Sequence, residues 1–363
     1  LKILLVRLRQ IGDVVFTTPT FAALKSHLPA AELTYLVEPA GAPVVLGNPD
    51  LSEVIVAPRA SGVRGTLRDL ALGRRLARMR FDVAIDFHGG PRASLLTWLS
   101  RAPRRIGYEI AGRSWMYTER VARPRELRPR HSVDNQCDLL AVLGIPPPDR
   151  SRFPVCMPLV PDIRRQVQSR LREHGVGAKS RLVVIHVSAG NPFRRWPTDA
   201  FATVAAALAS VDDEVRVLVT SGPSEADAAA RVIDAARLQL AASTRERVLA
   251  CGEFSLRELR ALLEDAALYI GGDSGPMHIA ATTRVPMVSL YGPTLPARSE
   301  PWRSRSIPAV AVEVHDLPCR PCDQRVCAPG DFRCLGRIDP QAVIDAAVRL
   351  LETERIRLGT EHP

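Results

Sequence analysis

At 363 residues, with 46% of them apolar, the chain has more material than a typical single core uses, which predicts two domains. No run of about 18 uncharged apolar residues occurs, which excludes a sequence-evident membrane-spanning helix, and the charged, alternating first segment lacks a signal-peptide design, so a cytoplasmic location is expected. The net charge of 49 − 39 = +10 is almost all arginine, since lysine occurs only at Lys2, Lys25 and Lys179; with 5% aromatic residues and no helix-turn-helix, RRM or finger signature, nucleic acid is the weakest candidate partner.

Lys2 to Arg7 reads as a buried strand, followed by the turn Leu8 to Asp13 and a helix from Thr20 to His27. Further strands are expected at Glu32–Val37, Glu53–Val56 and Phe81–Phe87, the last ending at His88-Gly89-Gly90, with a basic helix over Leu67–Arg80. Arg104–Tyr108 reads as a short strand and Ser132–Leu143 as a helix closed by Gly144. Alternating strands and helices with short connections predict α/β architecture with a doubly wound parallel sheet. Pro146-Pro147-Pro148 and the prolines that follow mark a stiff linker.

The pattern then restarts with helix Pro161–His174 and strand Arg181–Val187, which runs into Ser188 to Pro197 and a helix over Thr198–Ala209. Strand Val215–Val219, helix Ala226–Ala236, strand Val248–Cys251 and a capped helix Ser255–Asp265 precede the apolar run Ala266–Ile270. That run opens into Gly271-Gly272-Asp273-Ser274-Gly275-Pro276-Met277-His278, a glycine-rich strand-to-helix turn suited to phosphate or, equally, an ordinary capped turn. Strand Val285–Leu290 and a final amphipathic helix, Pro340–Leu358, complete a second α/β half.

Ligands of such sheets collect outside the carboxyl ends of the strands. There, Arg194 and Arg195 suit a departing diphosphate, or are surface arginines of an arginine-rich chain. Glu225 suits ribose hydroxyls, or is a first-turn helix residue. Asp13 suits a general base acting on a hydroxyl, or a helix N-cap. No G-x-S-x-G elbow or P-loop is present and the first turn lacks G-x-G-x-x-G, which argues against acyl hydrolysis, kinase-like ATP use and dehydrogenation. From Arg101 to Arg130 nine Arg face three Glu, a patch suited to nucleic acid, an anionic membrane surface or a phosphorylated substrate, or simply a solvated face.

Ile11-Gly12-Asp13-Val14 with Thr17-Thr18-Pro19, Arg194-Arg195-Trp196-Pro197, and Gly272-Asp273-Ser274-Gly275-Pro276-Met277-His278-Ile279-Ala280-Ala281 together resemble glycosyltransferase family 9, the ADP-heptose:lipopolysaccharide heptosyltransferases. The resemblance runs from Lys2 to about Val348. It implies a GT-B fold, two Rossmann-like domains facing a central cleft: an acceptor-binding domain over 1–155, a nucleotide-sugar-binding domain over 156–340 with a Cys-rich loop at 316–336, and a last helix over 341–363 that crosses back to the first domain.

The activity implied is inverting transfer of heptose from ADP-heptose to the inner core of lipopolysaccharide, with no obligatory metal, at the cytoplasmic face of the inner membrane. The family's base falls on Asp13, its ribose-binding Glu on Glu225, and its diphosphate turn on Asp273, Ser274, Gly275, Pro276, Met277 and His278. Its phosphate-binding Lys falls on Arg194, a departure that exchanges a point ammonium for a planar fork. Arg195 is expected beside the donor, and Gly12, His88, Arg92 and Arg113 near the acceptor. The resemblance gives the Arg101–Arg130 patch a partner in the phosphates of the acceptor lipid or the membrane surface. Alternatives are a GT-B transferase for another nucleotide sugar or acceptor, and a non-catalytic nucleotide- or nucleic-acid-binding protein.

Cys319, Cys322, Cys327 and Cys334 form C-x2-C-x4-C-x6-C in a Pro- and Gly-containing loop. Four close thiols suit a structural Zn²⁺ or another thiophilic metal, with disulfides and free thiols as the alternatives. Cys137, Cys156 and Cys251 are expected in cores.

Overall fold

The computed structural model describes residues 1–59, 62–122, 130–322 and 324–360, with the backbone alone beyond residue 353. Arg123, Arg125, Glu126 and Arg128 of the basic stretch lie outside the described residues. The chain divides into two compact units, Leu1–Pro158 with Trp302–Ser304, and Leu159–Pro301 with Arg305–Pro363.

The first unit runs β1 (Lys2–Val6), α1 (Ile11–His27), β2 (Glu32–Val37), α2 (Ala42–Val45), β3 (Glu53–Val56), α3 (Gly62–Met79), β4 (Val83–Asp86), α4 (Pro91–Leu99), β5 (Arg104–Tyr108), β6 (Glu119–Val121) and α5 (Ser132–Ala141). Its six strands are ordered β3-β2-β1-β4-β5-β6, all neighbours parallel. The central strand β1 is apolar along its length, and Ile3 to Val6 are completely buried, as a strand covered on both faces requires.

Helix α1 starts nine residues before the expected Thr20 and passes through Pro19. Proline cannot donate to the carbonyl four residues back, here that of Val15, and normally breaks a helix. In this helix the Thr18 hydroxyl donates to the Val15 carbonyl at 2.7 Å, while Thr17 and Thr20 bond the carbonyls of Asp13 and Thr17. The Thr18 hydroxyl therefore satisfies the interrupted helix from within. Helix α4, which the sequence pattern does not announce, opens with Pro91 at its first position after the extended Gly90.

The second unit runs α6 (Pro161–Glu173), β7 (Arg181–His186), α7 (Thr198–Ala209), β8 (Val215–Thr220), α8 (Ala226–Leu238), β9 (Val248–Leu249), α9 (Leu256–Glu264), β10 (Leu268–Gly272), α10 (Gly275–Ala280), β11 (Met287–Tyr291), α11 (Pro296–Ser299), β12 (Ala309–Glu313), α12 (Arg333–Gly336) and α13 (Pro340–Thr360). The sheet order is β12-β11-β10-β7-β8-β9, parallel throughout. Counted from each unit's own first strand, both sheets have the order 3-2-1-4-5-6. In each, the order reverses between the first and fourth strands, and that switch point is where such sheets open a crevice.

Helix α13 was expected to cross back to the first unit. Its described side chains pack on the second unit's own sheet and α7, with Val343, Ala346, Ala347 and Leu351 in the core beside Val183, Val288 and Val204. The segment grouped with the first unit is Trp302–Ser304, where the Trp302 indole donates to the Phe153 carbonyl and its carbonyl accepts from Val155 N–H.

Candidate functional site

In the first unit the switch point lies between the ends of β1 and β4. Arg7, just after β1, pairs with the Asp13 carboxylate and donates to the Phe87 carbonyl just after β4, so one guanidinium ties both strand ends to the first turn of α1. Gln10 holds the N-cap position, so Asp13 is a first-turn residue and not the cap; its side chain is about one-third exposed.

Asp86, the last residue of β4, is fully buried. Its Oδ1 accepts from the His88 and Gly89 amides at 2.8 and 2.9 Å, and its Oδ2 accepts from the Tyr117 hydroxyl at 2.6 Å. Burial raises the Asp86 carboxyl above the usual range, against the opposing pull of Tyr117, the two amides and Arg7. The Tyr117 hydroxyl also lies 2.7 Å from Ser94 Oγ in α4. Tyr117 reaches Asp86 across Gly107, where a Cβ would fall 2.4 Å from its ring. This network fixes the His88-Gly89-Gly90 turn, and sequence reasoning missed it; the signal was an acidic residue inside the apolar run Val83–Phe87.

Of the expected acceptor residues, Gly12 lies in the first turn of α1, His88 is bonded through its amide to Asp86, and Arg113 donates to the Gly89 carbonyl. Arg92 departs from expectation. Its guanidinium bonds Asp69 through two nitrogens, Glu38, and the carbonyls of Ala57 and Pro58. With five N–H donors in all, it has none left for an acceptor; it clamps α3, β2 and the end of β3 to α4. Several described arginines of the basic stretch are engaged within the protein. Arg104 pairs with Glu119 and Arg130 with Asp138, while Arg105 and Arg113 are spent on backbone carbonyls.

In the second unit the switch point lies between β7 and β10. Asn191 caps the short turn Pro192–Arg194 by accepting from Phe193 N–H, which presents Arg194 to the end of β10. Arg194 Nη1 donates to the Asp273 carbonyl at 3.0 Å and lies 3.2 Å from its carboxylate, while Nε donates to Gln324 at 2.8 Å. Gly272 permits this approach, since a Cβ there would stand 3.2 Å from the Arg194 carbonyl oxygen. Arg195 Nη2 pairs with Glu225 at 2.8 Å, and its Nε donates to the Ala189 carbonyl. Glu225 is thus largely buried against Arg195, at the start of α8.

Asp273 is 3% exposed and accepts from the Thr294 hydroxyl at 2.6 Å, with His278 Nε2 at 3.4 Å from its other oxygen. Burial alone would raise this carboxyl, but His278, the Arg194 charge and Thr294 outweigh it and hold it at about 2. Asp273, Met277 and His278 are all buried; the surface of the turn is Ser274, Gly275 and Pro276. From this buried position Asp273 contacts both Arg194 and His278.

The four loop cysteines are half-buried free thiols, and among the described residues no group of three or more His, Cys, Asp or Glu converges as a metal site. The structure thus does not assemble the expected Zn²⁺ site. The loop is instead held by protein contacts: Arg320 bonds Glu313 and the carbonyls of Val314 and Thr294, and the Cys322 amide donates to the Pro293 carbonyl. From that position Gln324 bonds both Asn191 and Arg194, and Phe332 meets Phe193 edge-on. The Cys-rich loop buttresses the Arg194 turn. Of the other cysteines, Cys137 and Cys251 are buried as expected and Cys156 is exposed.

Two parallel 3-2-1-4-5-6 units, each with charged side chains gathered at its switch point, are the architecture of the GT-B fold that glycosyltransferases use. Residues 70–331 match glycosyltransferase family 9 (heptosyltransferase), and the chain belongs to that family. Lipopolysaccharide heptosyltransferase 3 of Escherichia coli K12 is 27% identical over 316 residues, 86% of this chain and 89% of its own length. The glycosyl transferase family 9 structure from Veillonella parvula superposes with a TM-score of 0.84 at 26% identity, covering 97% of both chains. The E. coli ADP-heptose lps heptosyltransferase II shares the fold with a TM-score of 0.77 at 19% identity, covering 98% of this chain and 100% of its own.

Proposed function

We propose that this chain transfers heptose from ADP-heptose to a hydroxyl of the lipopolysaccharide inner core, with inversion at the anomeric carbon. The donor and acceptor are those in the names of the relatives. Asp13 takes the proton of the acceptor hydroxyl as its oxygen attacks the anomeric carbon, and the bond from that carbon to the diphosphate oxygen breaks as ADP leaves from the opposite face. Arg194, held by Asp273 and Gln324, meets the charge that develops on the leaving diphosphate, with the Ser274–Met277 backbone contributing N–H donors. Arg194 does this work without an obligatory metal, and Glu225 and Arg195 flank the nucleoside. His88, Gly12 and Arg113 lie on the acceptor's side of the reaction, at the cytoplasmic face of the inner membrane.

The observation that carries this reading is the matched pair of switch points. One offers a partly exposed carboxylate fixed by Arg7, and the other an anchored guanidinium beside a glycine turn.

The test is enzyme-dependent ADP release from ADP-heptose with a truncated, delipidated core oligosaccharide, comparing wild type with Asp13→Asn. Asp13→Asn is expected to retain ADP binding and lose at least about 100-fold in turnover, and the wild-type product is expected to carry the inverted anomer. Wild-type protein that releases no ADP, or Asp13→Asn that turns over normally, overturns the assignment.

A further inference from the structure

Helix α3 presents a face that the chemistry above does not use. Its buried side is formed by Gly65, Gly73 and Leu76, while Val63, Leu67 and Leu70 stand 76%, 60% and 37% exposed. These three are spaced i, i+4, i+7 and so share one stripe, which Arg74 continues at i+11. Arg64, Arg68 and Arg78 border it on the exposed surface, Arg75 beside them is paired with Glu53, and the helix's single carboxylate, Asp69, is already taken by Arg92.

The stripe leads into a cavity of about 540 Å³ where the C-terminal ends of α3 and α4 meet, closed at its base by Leu99 against Gly73. Arg74, Arg78, Arg80 and Arg101 line this cavity, no carboxylate does, and none of the four has an ion-pair partner among the described residues. Two helix C-termini supply about half a negative charge each. Against four guanidiniums that leaves an excess of about three positive charges. One turn back from Arg101 on α4, Trp98 is 40% exposed and packs edge-on against Trp115, itself 57% exposed, with ring centroids 5.6 Å apart.

We infer that this α3–α4 face docks on an anionic lipid bilayer, with the four-arginine cavity receiving a lipid phosphate headgroup. An exposed aliphatic stripe bordered by arginines, with exposed tryptophans beside a cationic cavity, is the composition of a helix lying in a membrane interface. The charge excess selects anionic headgroups over zwitterionic ones. The cavity sits at the C-terminal ends of α3 and α4, which is the end of the unit opposite the β1–β4 switch point, so docking leaves Asp13's surroundings open. The inference rests on the proposed function only for the bilayer's identity as the inner membrane.

The test is co-sedimentation of the full chain with vesicles of one-third phosphatidylglycerol in phosphatidylethanolamine, against pure phosphatidylcholine. Tryptophan emission is read in parallel, because Trp196 and Trp302 are buried and only Trp98 and Trp115 are open to report insertion. Wild type is expected to bind the anionic vesicles with a blue shift and to release them in 0.5 M salt. Arg74→Glu/Arg78→Glu and, separately, Leu67→Glu/Leu70→Glu are each expected to lose at least about tenfold in partitioning. An equal charge change on the second unit, Arg172→Glu/Arg231→Glu, is expected to lose far less.

Equal losses in all three variants, or none in the first two, overturn the proposal. Displacement of wild type from vesicles by millimolar inorganic phosphate alone would assign the cavity to a free anion instead. Retention on vesicles only when a second protein is added would assign the face to a protein partner. Both α3 variants are expected to release ADP normally with the delipidated acceptor. Loss of docking with transfer intact, or the reverse, therefore separates the two readings.

Discussion

Replacing Asp273 by Asn tests whether this carboxylate serves the Arg194 turn or faces the ligand itself. A carboxyl held at about 2 against an ordinary 3.8 contributes about 2 kcal/mol of folding stability at neutral pH. The sign follows from the direction of the shift. The unfolded chain takes up the proton first as the pH falls, so the contribution is complete above 3.8 and is lost between there and about 2. Asp273→Asn keeps an oxygen for the Thr294 hydroxyl but loses the charge opposite Arg194. It is therefore expected to be about 2 kcal/mol less stable at pH 7 and to lose stability less steeply than wild type below pH 4. Asp273→Ala, which also strands Thr294, is expected to cost more, about 3–5 kcal/mol. Urea denaturation at pH 7 and at three values below 4 measures both effects, and calorimetric titration with ADP measures the consequence for the site. With Arg194 left to Gln324 and one backbone carbonyl, ADP affinity is expected to fall about tenfold, or about 1.4 kcal/mol. An Asp273→Asn protein that binds ADP more tightly than wild type would show that the carboxylate repels the diphosphate, and the positioning role would be refuted.

His186, at the end of β7, is buried with Nδ1 3.0 Å from the Thr220 hydroxyl, and burial depresses it to about 4. The unfolded chain binds a proton that the buried ring refuses, so wild type is expected to lose up to roughly 3 kcal/mol as the pH falls from 6.5 to 4. His186→Gln is expected to lack that part of the acid slope in urea melts at pH 7, 5.5 and 4.5, and an unchanged slope refutes the assignment. Gly107→Ala drives a methyl into the Tyr117 ring and is expected to cost about 2–3 kcal/mol. Tyr117→Phe, which leaves buried Asp86 short of one donor, is expected to cost about 1–3 kcal/mol; thermal melts within the error of wild type for both would remove the Asp86 network from the account.

The α/β alternation, the short parallel strands and the positions of the glycine turns were legible in the sequence because each depends on contiguous residues. Burial period, turn chemistry and caps are local; the strands Glu32–Val37, Glu53–Val56 and Arg104–Tyr108 and the helix Thr198–Ala209 fall where the pattern puts them, and Ser255 and Glu258 form the expected cap as a reciprocal box. The motifs around Asp13, Arg194 and Asp273 were equally local, and they carried the family. What each charged side chain does was not local. Arg92 and Arg113 are both arginines of one unit, yet the first is consumed by two carboxylates and two carbonyls brought from α3, β2 and the end of β3, while the second lies beside the His88–Gly90 turn. The spacing of the Cys-rich loop left metal, disulfides and free thiols open, and only the fold shows that its contacts with Asn191, Phe193 and Arg194, more than 120 residues earlier, make it a buttress for the Arg194 turn. A guanidinium's role is set by which acceptors reach it, and those acceptors come from distant strands. Only the folded sheet order, with its reversal at β1–β4 and β7–β10, decided which of the many arginines were already satisfied and which kept a donor to spare.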